Sequence, residues 1–156
     1  MISKITINKT VKNILIREIE KSKGLETGGV LCGNYNSDTI MVESASGPGQ
    51  NAVRSFSEFI MDKIYMDSFL DEQYSKSIGK NIYVGEWHSH PEVFPFPSEQ
   101  DIISIIERTY EWEYGEIIFL IFGFINFSQD SIDDQMIGLT FDKTDQKIYE
   151  LPVIFD

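Results

Sequence analysis

An α/β (α+β) domain, with a mixed β-sheet flanked by helices, is the fold class this sequence predicts. Three observations carry it. Segments with helical spacing and segments with strand alternation interleave along the chain instead of falling into separate blocks. The run Ile117-Ile118-Phe119-Leu120-Ile121-Phe122 reads as a strand covered on both faces. The 156 residues, 42% hydrophobic and 13% aromatic, suffice for one packed core, so residues 1–156 form a single domain.

The elements follow in order. Ile2 to Ile7 alternates apolar and polar residues, a short strand. Asn8 or Thr10 caps a helix on which Val11, Ile14, Leu15 and Ile19 share a face, with Lys21 and Lys23 in the last turn and Gly24 as the stop. A strand follows through Gly28-Gly29-Val30-Leu31-Cys32-Gly33, then a hairpin turn over Asn34 to Asp38 into Thr39 to Ser44. Gly47 to Asn51 is a loop, and Val53 to Phe59 resumes strand-like alternation. From Asp62 the spacing turns helical, placing Ile64, Tyr65, Phe69, Leu70 and Tyr74 on a buried face that ends before Gly79. Asn81 to His90 is a strand with Trp87 in the core. The next helix, from Ser98 to about Trp112, buries Ile102, Ile105, Ile106 and Tyr110. After the apolar strand comes a polar loop, Asn126 to Gln135. Its acids Asp130, Asp133 and Asp134 lack the glycine and closing Glu of a Ca²⁺ loop. Ile137 to Asp142 and Lys147 to Phe155 form a final strand pair.

The chemistry concentrates in one stretch. The chain has two histidines, His88 and His90. Residues two apart on a strand point the same way, so both imidazoles face one spot. Imidazole is the commonest metal-ligating side chain, and a catalytic Zn²⁺ takes three protein ligands with one position open for water. Asp101 is the third ligand that the spacing supplies. Ser98-Glu99-Gln100-Asp101 reads as a helix N-terminus with Ser98 as N-cap, which turns Asp101 back toward the preceding loop. Pro91, Pro95 and Pro97 stiffen that loop. By chance, His-x-His followed at a fixed distance by Ser-x-x-Asp should occur in only about one chain in several thousand. Two acids compete for the role of base. Glu86 lies two residues before His88 on the same strand face, and Glu26 opens the glycine-rich strand. The glycines after Glu26 either permit tight backbone packing or let Glu26 approach the site; the residues alone leave both pairs of readings open.

His88-Ser89-His90, seven residues, then Ser98-x-x-Asp101 resembles the signature of the JAMM (JAB/MPN-plus) metalloproteases. Glu26-Thr27-Gly28-Gly29-Val30-Leu31-Cys32-Gly33 is similar to the upstream half of that signature. The wording Gly85-Glu86-Trp87-His88-Ser89-His90-Pro91 is nearest to the bacterial JAB branch. The resemblance implies a JAB/MPN cytidine-deaminase-like sandwich, and a Zn²⁺ held by His88, His90 and Asp101. It implies Glu26 as general base, and Ser98 as a donor to the developing oxyanion. It further implies an (iso)peptidase acting after the tail of a ubiquitin-like modifier or on its protein conjugate. E1/E2-like conjugation proteins would be its partners, in the manner of CBASS-associated JAB deconjugases of antiphage defence. The alternatives are a non-catalytic MPN-type scaffold, sulfur-carrier tail processing, a small-molecule metalloamidase and the DNA-linked RadC branch.

Composition narrows the field. A net charge of −12 argues against nucleic acid, whose phosphates need a basic footprint, and so against the RadC branch. The one cysteine, Cys32, excludes an internal disulfide and reads as a small buried hydrophobe of a reducing compartment. The Ile117 to Ile125 run is too short to span a membrane, and Met1 to Lys9 lacks a signal-peptide core. A cytoplasmic protein with no membrane partner is expected.

Overall fold

The computed structural model describes residues 1–91, 94–126 and 131–156. Strand β1 (Lys4–Ile7) leads into helix α1 (Lys9–Ser22), capped by Asn8, whose Oδ1 accepts the Val11 N–H at 2.9 Å. Strands β2 (Gly28–Asn36) and β3 (Thr39–Ala45) form a hairpin. Two short strands, β4 (Val53–Arg54) and β5 (Phe59–Ile60), precede helix α2 (Lys63–Lys76). Then come β6 (Ile82–Ser89), α3 (Glu99–Glu111), β7 (Ile118–Phe122), a 3-10 turn (Ile132–Gln135), β8 (Met136–Asp142), β9 (Lys147–Leu151) and β10 (Val153–Phe155).

The large sheet has the order β10-β1-β3-β2-β6-β7-β8-β9, with mixed parallel and antiparallel pairs. Strands β9 and β10 are consecutive in sequence yet lie at opposite ends of this order. The sheet therefore curls until its two edges meet at Pro152, whose carbonyl accepts the Ile5 N–H at 3.0 Å. The single strand expected from Lys147 to Phe155 is thus two. Proline has no N–H to continue the ladder, so the chain changes partners there.

The two faces carry different cores. On one, Val11 and Leu15 of α1 pack with Ile5, Ile7, Leu31, Val42, Val84, Trp87, Leu120 and Phe122, all buried. On the other, Ile105 of α3 packs with Ile117, Phe119, Ile121, Leu139 and Phe141. Helix α3 sits in the β6–α3–β7 crossover, and β6 and β7 are parallel, as a strand–helix–strand unit requires.

Several expectations need correction. The 53–59 strand is instead the two-residue pair β4–β5 closed by a turn, with the Ser55 N–H donating to the Glu58 carbonyl at 2.9 Å. Helix α2 turns Met66 inward, and Ile64 and Tyr74 stand 83% and 54% exposed; its apolar residues do not form one clean stripe, so the docking of the helix, not its pattern, decides which are covered. Tyr110 is exposed and lies over Phe141 at the rim of the α3 side. Apart from these corrections, Phe94 and Phe96 of the proline loop are exposed and pack against each other. Residues 92–93 of the proline loop, and 127–130 of the polar loop with Asp130, lie outside the described residues.

Candidate metal centre

The site is built on β6, an interior strand of the sheet, and a bulge aims it. Leu31 of β2 pairs with Gly85, and Cys32 pairs with Tyr83, so Val84 is an extra residue on β6. The bulge shifts the alternation by one. Tyr83 and Glu86, three apart, both face α3, while Val84 and Trp87, also three apart, both enter the α1-side core. From Glu86 onward the strand is regular, and His88 shares the α3 side. Gly85 makes the bulge possible, because a Cβ there would lie 1.8 Å from the Ile118 carbonyl oxygen. Bulges recur beside active sites because they re-aim side chains in this way.

The end of the strand is clamped on both sides. The Ser89 N–H donates to the Thr27 carbonyl at 2.9 Å, and the His90 N–H donates to the Phe122 carbonyl at 2.7 Å. The Ser89 hydroxyl accepts the Thr27 N–H at 3.2 Å. Ser89, between the histidines, thereby ties the metal strand to the residue following Glu26. Sequence reasoning overlooked this brace, whose only signal was a small hydroxyl residue between two histidines.

Three donors converge. His88 Nε2 lies 3.1 Å from Asp101 Oδ1 and 3.1 Å from His90 Nε2, and His90 Nε2 lies 3.0 Å from Asp101 Oδ2. The two imidazoles thus meet the carboxylate through separate oxygens, and one ligand atom from each of the three residues lies within 4.8 Å of the others, close enough to share one small divalent ion. The donor chemistry, two imidazoles and a carboxylate, suits it as well. The side chains keep 9–20% of their surface exposed, so the centre opens to solvent at the C-terminal ends of β6 and β7.

Asp101 reaches the site because its helix begins there. The Ser98 hydroxyl accepts the Asp101 N–H at 3.1 Å, and the Ser98 N–H donates back to Asp101 Oδ2 at 2.8 Å, a complete capping box. Burial works against the charged Asp101 carboxylate. Hydrogen bonds from His88 and His90, the charge of His88 and the Ser98 amide outweigh it and hold the carboxyl well below the usual range.

The two candidate bases are separated by the fold. Glu26 Oε1 stands 4.0 Å from His90 Nε2, and its backbone N–H is anchored on the Ser55 carbonyl at 2.8 Å, beside the β4–β5 hairpin. A Cβ on Gly28 would meet the Trp87 carbonyl oxygen at 2.5 Å and Phe59 at 2.7 Å. That glycine thus permits β2, β6 and the hairpin to close together at the site. Glu86 instead pairs with Arg108 of α3, its Oε2 3.4 Å from Arg108 Nε, outside the three-donor group. Burial pushes the Glu86 carboxyl up, against the pull of Arg108. Arg108 was also overlooked by sequence reasoning.

Comparisons with known proteins identify the family. The chain is 37% identical over 79 residues to a CD-NTase/cGAS isopeptidase of Escherichia coli (strain TW11681), covering 51% of each protein. It is 36% identical over 76 residues to the protein of the same name from Vibrio cholerae serotype O1, covering 49% of each. A probable metalloprotease, y4qB of Sinorhizobium fredii, is 27% identical over 88 residues, 56% of this chain and 54% of that protein. These matches span about half the length of the curated relatives. In three dimensions the chain resembles the solution structure of protein DSY2949 from Desulfitobacterium hafniense, with a TM-score of 0.72 over 97% of this chain and 92% of the other. At 18% identity that likeness speaks to the fold alone. The family model for prokaryotic homologs of the JAB domain matches residues 8–128, a span that includes Glu26, both histidines and Asp101, and the chain belongs to that family.

Proposed function

We propose that the protein is a zinc-dependent (iso)peptidase that hydrolyses the amide or isopeptide bond after the tail of a ubiquitin-like modifier. One observation carries the reading: His88, His90 and Asp101 bring their ligand atoms within 4.8 Å of one another, with the Glu26 carboxylate 4.0 Å from His90. Zn²⁺ suits this nitrogen and oxygen set, and when bound it polarises a carbonyl and lowers the pKa of water toward about 7. Glu26 accepts the proton of the attacking water and passes it to the leaving nitrogen. The C–O bond forms first, moving the carbonyl π electrons onto the oxygen as an oxyanion, and the C–N bond then breaks as that oxygen reforms the carbonyl and the nitrogen takes the proton, giving a carboxylate and an amine. Ser98 uses its lone pair on the Asp101 N–H, so its own hydrogen is available to the developing oxyanion.

The relatives named CD-NTase/cGAS isopeptidase support an isopeptide-linked conjugate as substrate; E1/E2-like conjugation proteins as partners follow from the resemblance to the JAB deconjugases alone. The relative named a probable metalloprotease supports the metal. No described helix is long and apolar enough to cross a membrane. A single cysteine, Cys32, buried in the sheet, is in keeping with a cytoplasmic setting.

Metal content by elemental analysis, beside the His88→Ala variant, tests the centre. About one zinc per chain, lost in the variant, is the expected result. Cleavage of folded modifier fusions in preference to short peptides then tests the substrate. A protein that takes up no zinc, and is not thermally stabilised by it, is a scaffold instead.

A further inference from the structure

We propose that Arg108 and Glu86 form a positioning clamp that sets the distance between Asp101 and the two histidines. The inference rests on the metal-centre reading above and assigns a role to two residues which that reading does not use. The three donors come from two elements: β6 brings His88 and His90, and α3 brings Asp101. The backbone groups of β6 pair with β2 and β7, so they do not fix where α3 lies along the strand.

Side chains must do that. Arg108 follows Asp101 by seven residues, two helical turns or about 10.5 Å along one face of α3. Glu86 precedes His88 by two residues, about 6.6 Å along the regular part of β6. Strand and helix are therefore joined by two polar rungs. One joins Asp101 to both histidines, Oδ1 to His88 Nε2 at 3.1 Å and Oδ2 to His90 Nε2 at 3.0 Å, and the other is Arg108 Nε to Glu86 Oε2 at 3.4 Å. A single rung leaves the helix free to pivot about it, whereas two fix its position and its angle. Between them Ile105 packs on Ile117, Phe119 and Ile121, an apolar contact without direction. The guanidinium supplies direction, because its donors lie in a rigid plane. Arg108 Nη1 also reaches Glu111 Oε2 at 3.4 Å, which holds that plane from the helix side. Glu86 is 9% exposed, and a carboxylate so buried must keep a cationic partner.

Cobalt-loaded protein tests the clamp without requiring turnover. Co²⁺ affinity is measured by chelator competition, and ligand geometry by d–d absorption. Arg108→Met should weaken Co²⁺ binding about 10–100-fold, the usual effect of losing a group that orients a metal ligand, and should change the spectrum. Arg108→Lys keeps the charge but not the plane and should fall between. Arg108→Met alone leaves Glu86 buried and unpaired, and that variant can unfold. The double variant Glu86→Gln/Arg108→Met removes both charges and should fold with the same weakened affinity and altered spectrum. Wild-type affinity and spectrum in the double variant, even with a lowered melting temperature, would overturn the clamp and leave the metal centre standing. A wild-type protein that binds no Co²⁺ would overturn the centre and the clamp together.

Discussion

The two faces of the sheet do different work. The α1 face is mainly apolar: Leu15, Val84, Trp87, Leu120 and Phe122 are fully buried there. The α3 face carries a core of its own, but a polar row crosses it, with Glu86 and His88 on the strand and Arg108 and Asp101 on the helix. One strand serves both faces, since alternate residues of β6 point opposite ways. Trp87 fills the core directly behind the histidines. The lesson is a division of labour: groups that are costly to bury collect on one side, and apolar packing behind them supplies the free energy that holds them in place.

If that division holds, changing a group that only faces the metal centre should alter function without stability. Glu26→Gln keeps the size and the polarity of the side chain but removes its basicity. Turnover of a modifier fusion should fall about 10²–10⁴-fold, the usual contribution of a general base. Metal content and melting temperature should stay at wild-type values. Retained turnover would remove Glu26 from the chemistry and merge the two faces into one structural role.

The converse change lies on the α1 side. Trp87→Ala empties the space against Phe122, whose ring centroid lies 6.0 Å from that of Trp87, and loses the 2.9 Å bond from Trp87 Nε1 to the Ser46 carbonyl. The expected cost is about 3–5 kcal/mol, read by urea unfolding. Metal affinity of the molecules that remain folded should change little. A loss under about 1 kcal/mol would mean that Trp87 is not a main support of the sheet.

What was legible in the sequence was what local rules govern. His88 and His90 share a face because a strand alternates, and Asp101 turns back because Ser98 caps its helix; neither statement needs the rest of the fold. The Trp87 assignment follows from the same alternation. The exposed side of α2 was not legible, because Ile64, Tyr65 and Tyr74 look like a core face until one knows where the helix docks. The bulge at Val84 was hidden for a related reason. Gly85 within a strand was its only mark, and the shift in alternation appears only against the register of β2. The Arg108–Glu86 pair joins residues 22 positions apart across the crossover, a meeting that strand and helix periods cannot foretell. Pro152 was the most readable of the omissions, since a proline within a run should have ended the strand.

The smallest expected effect concerns two buried ionisable groups with opposite outcomes. At Asp101 burial opposes the charge, but hydrogen bonds from both histidines prevail. At Cys32 burial prevails: it pushes the thiol from 9.0 up to about 11, against the weaker pull of the neighbouring Ser44 and Gly33 polar groups. A raised pKa in the folded state means that the neutral thiol is the form the fold favours. Its contribution to stability is complete below the ordinary thiol pKa and is lost as pH rises through about 11. Urea midpoints of the wild type should therefore fall across that interval. Burial likewise pushes up the hydroxyl of Tyr83, which adds to the slope, so the Cys32→Ala variant is the necessary reference and should fall less steeply. Native protein at mildly alkaline pH should also react with a thiol reagent only as fast as the sheet opens locally. Equal slopes in the two proteins, or rapid labelling of the native state, would show that the centre of the sheet around β2 is wetter than its packing implies.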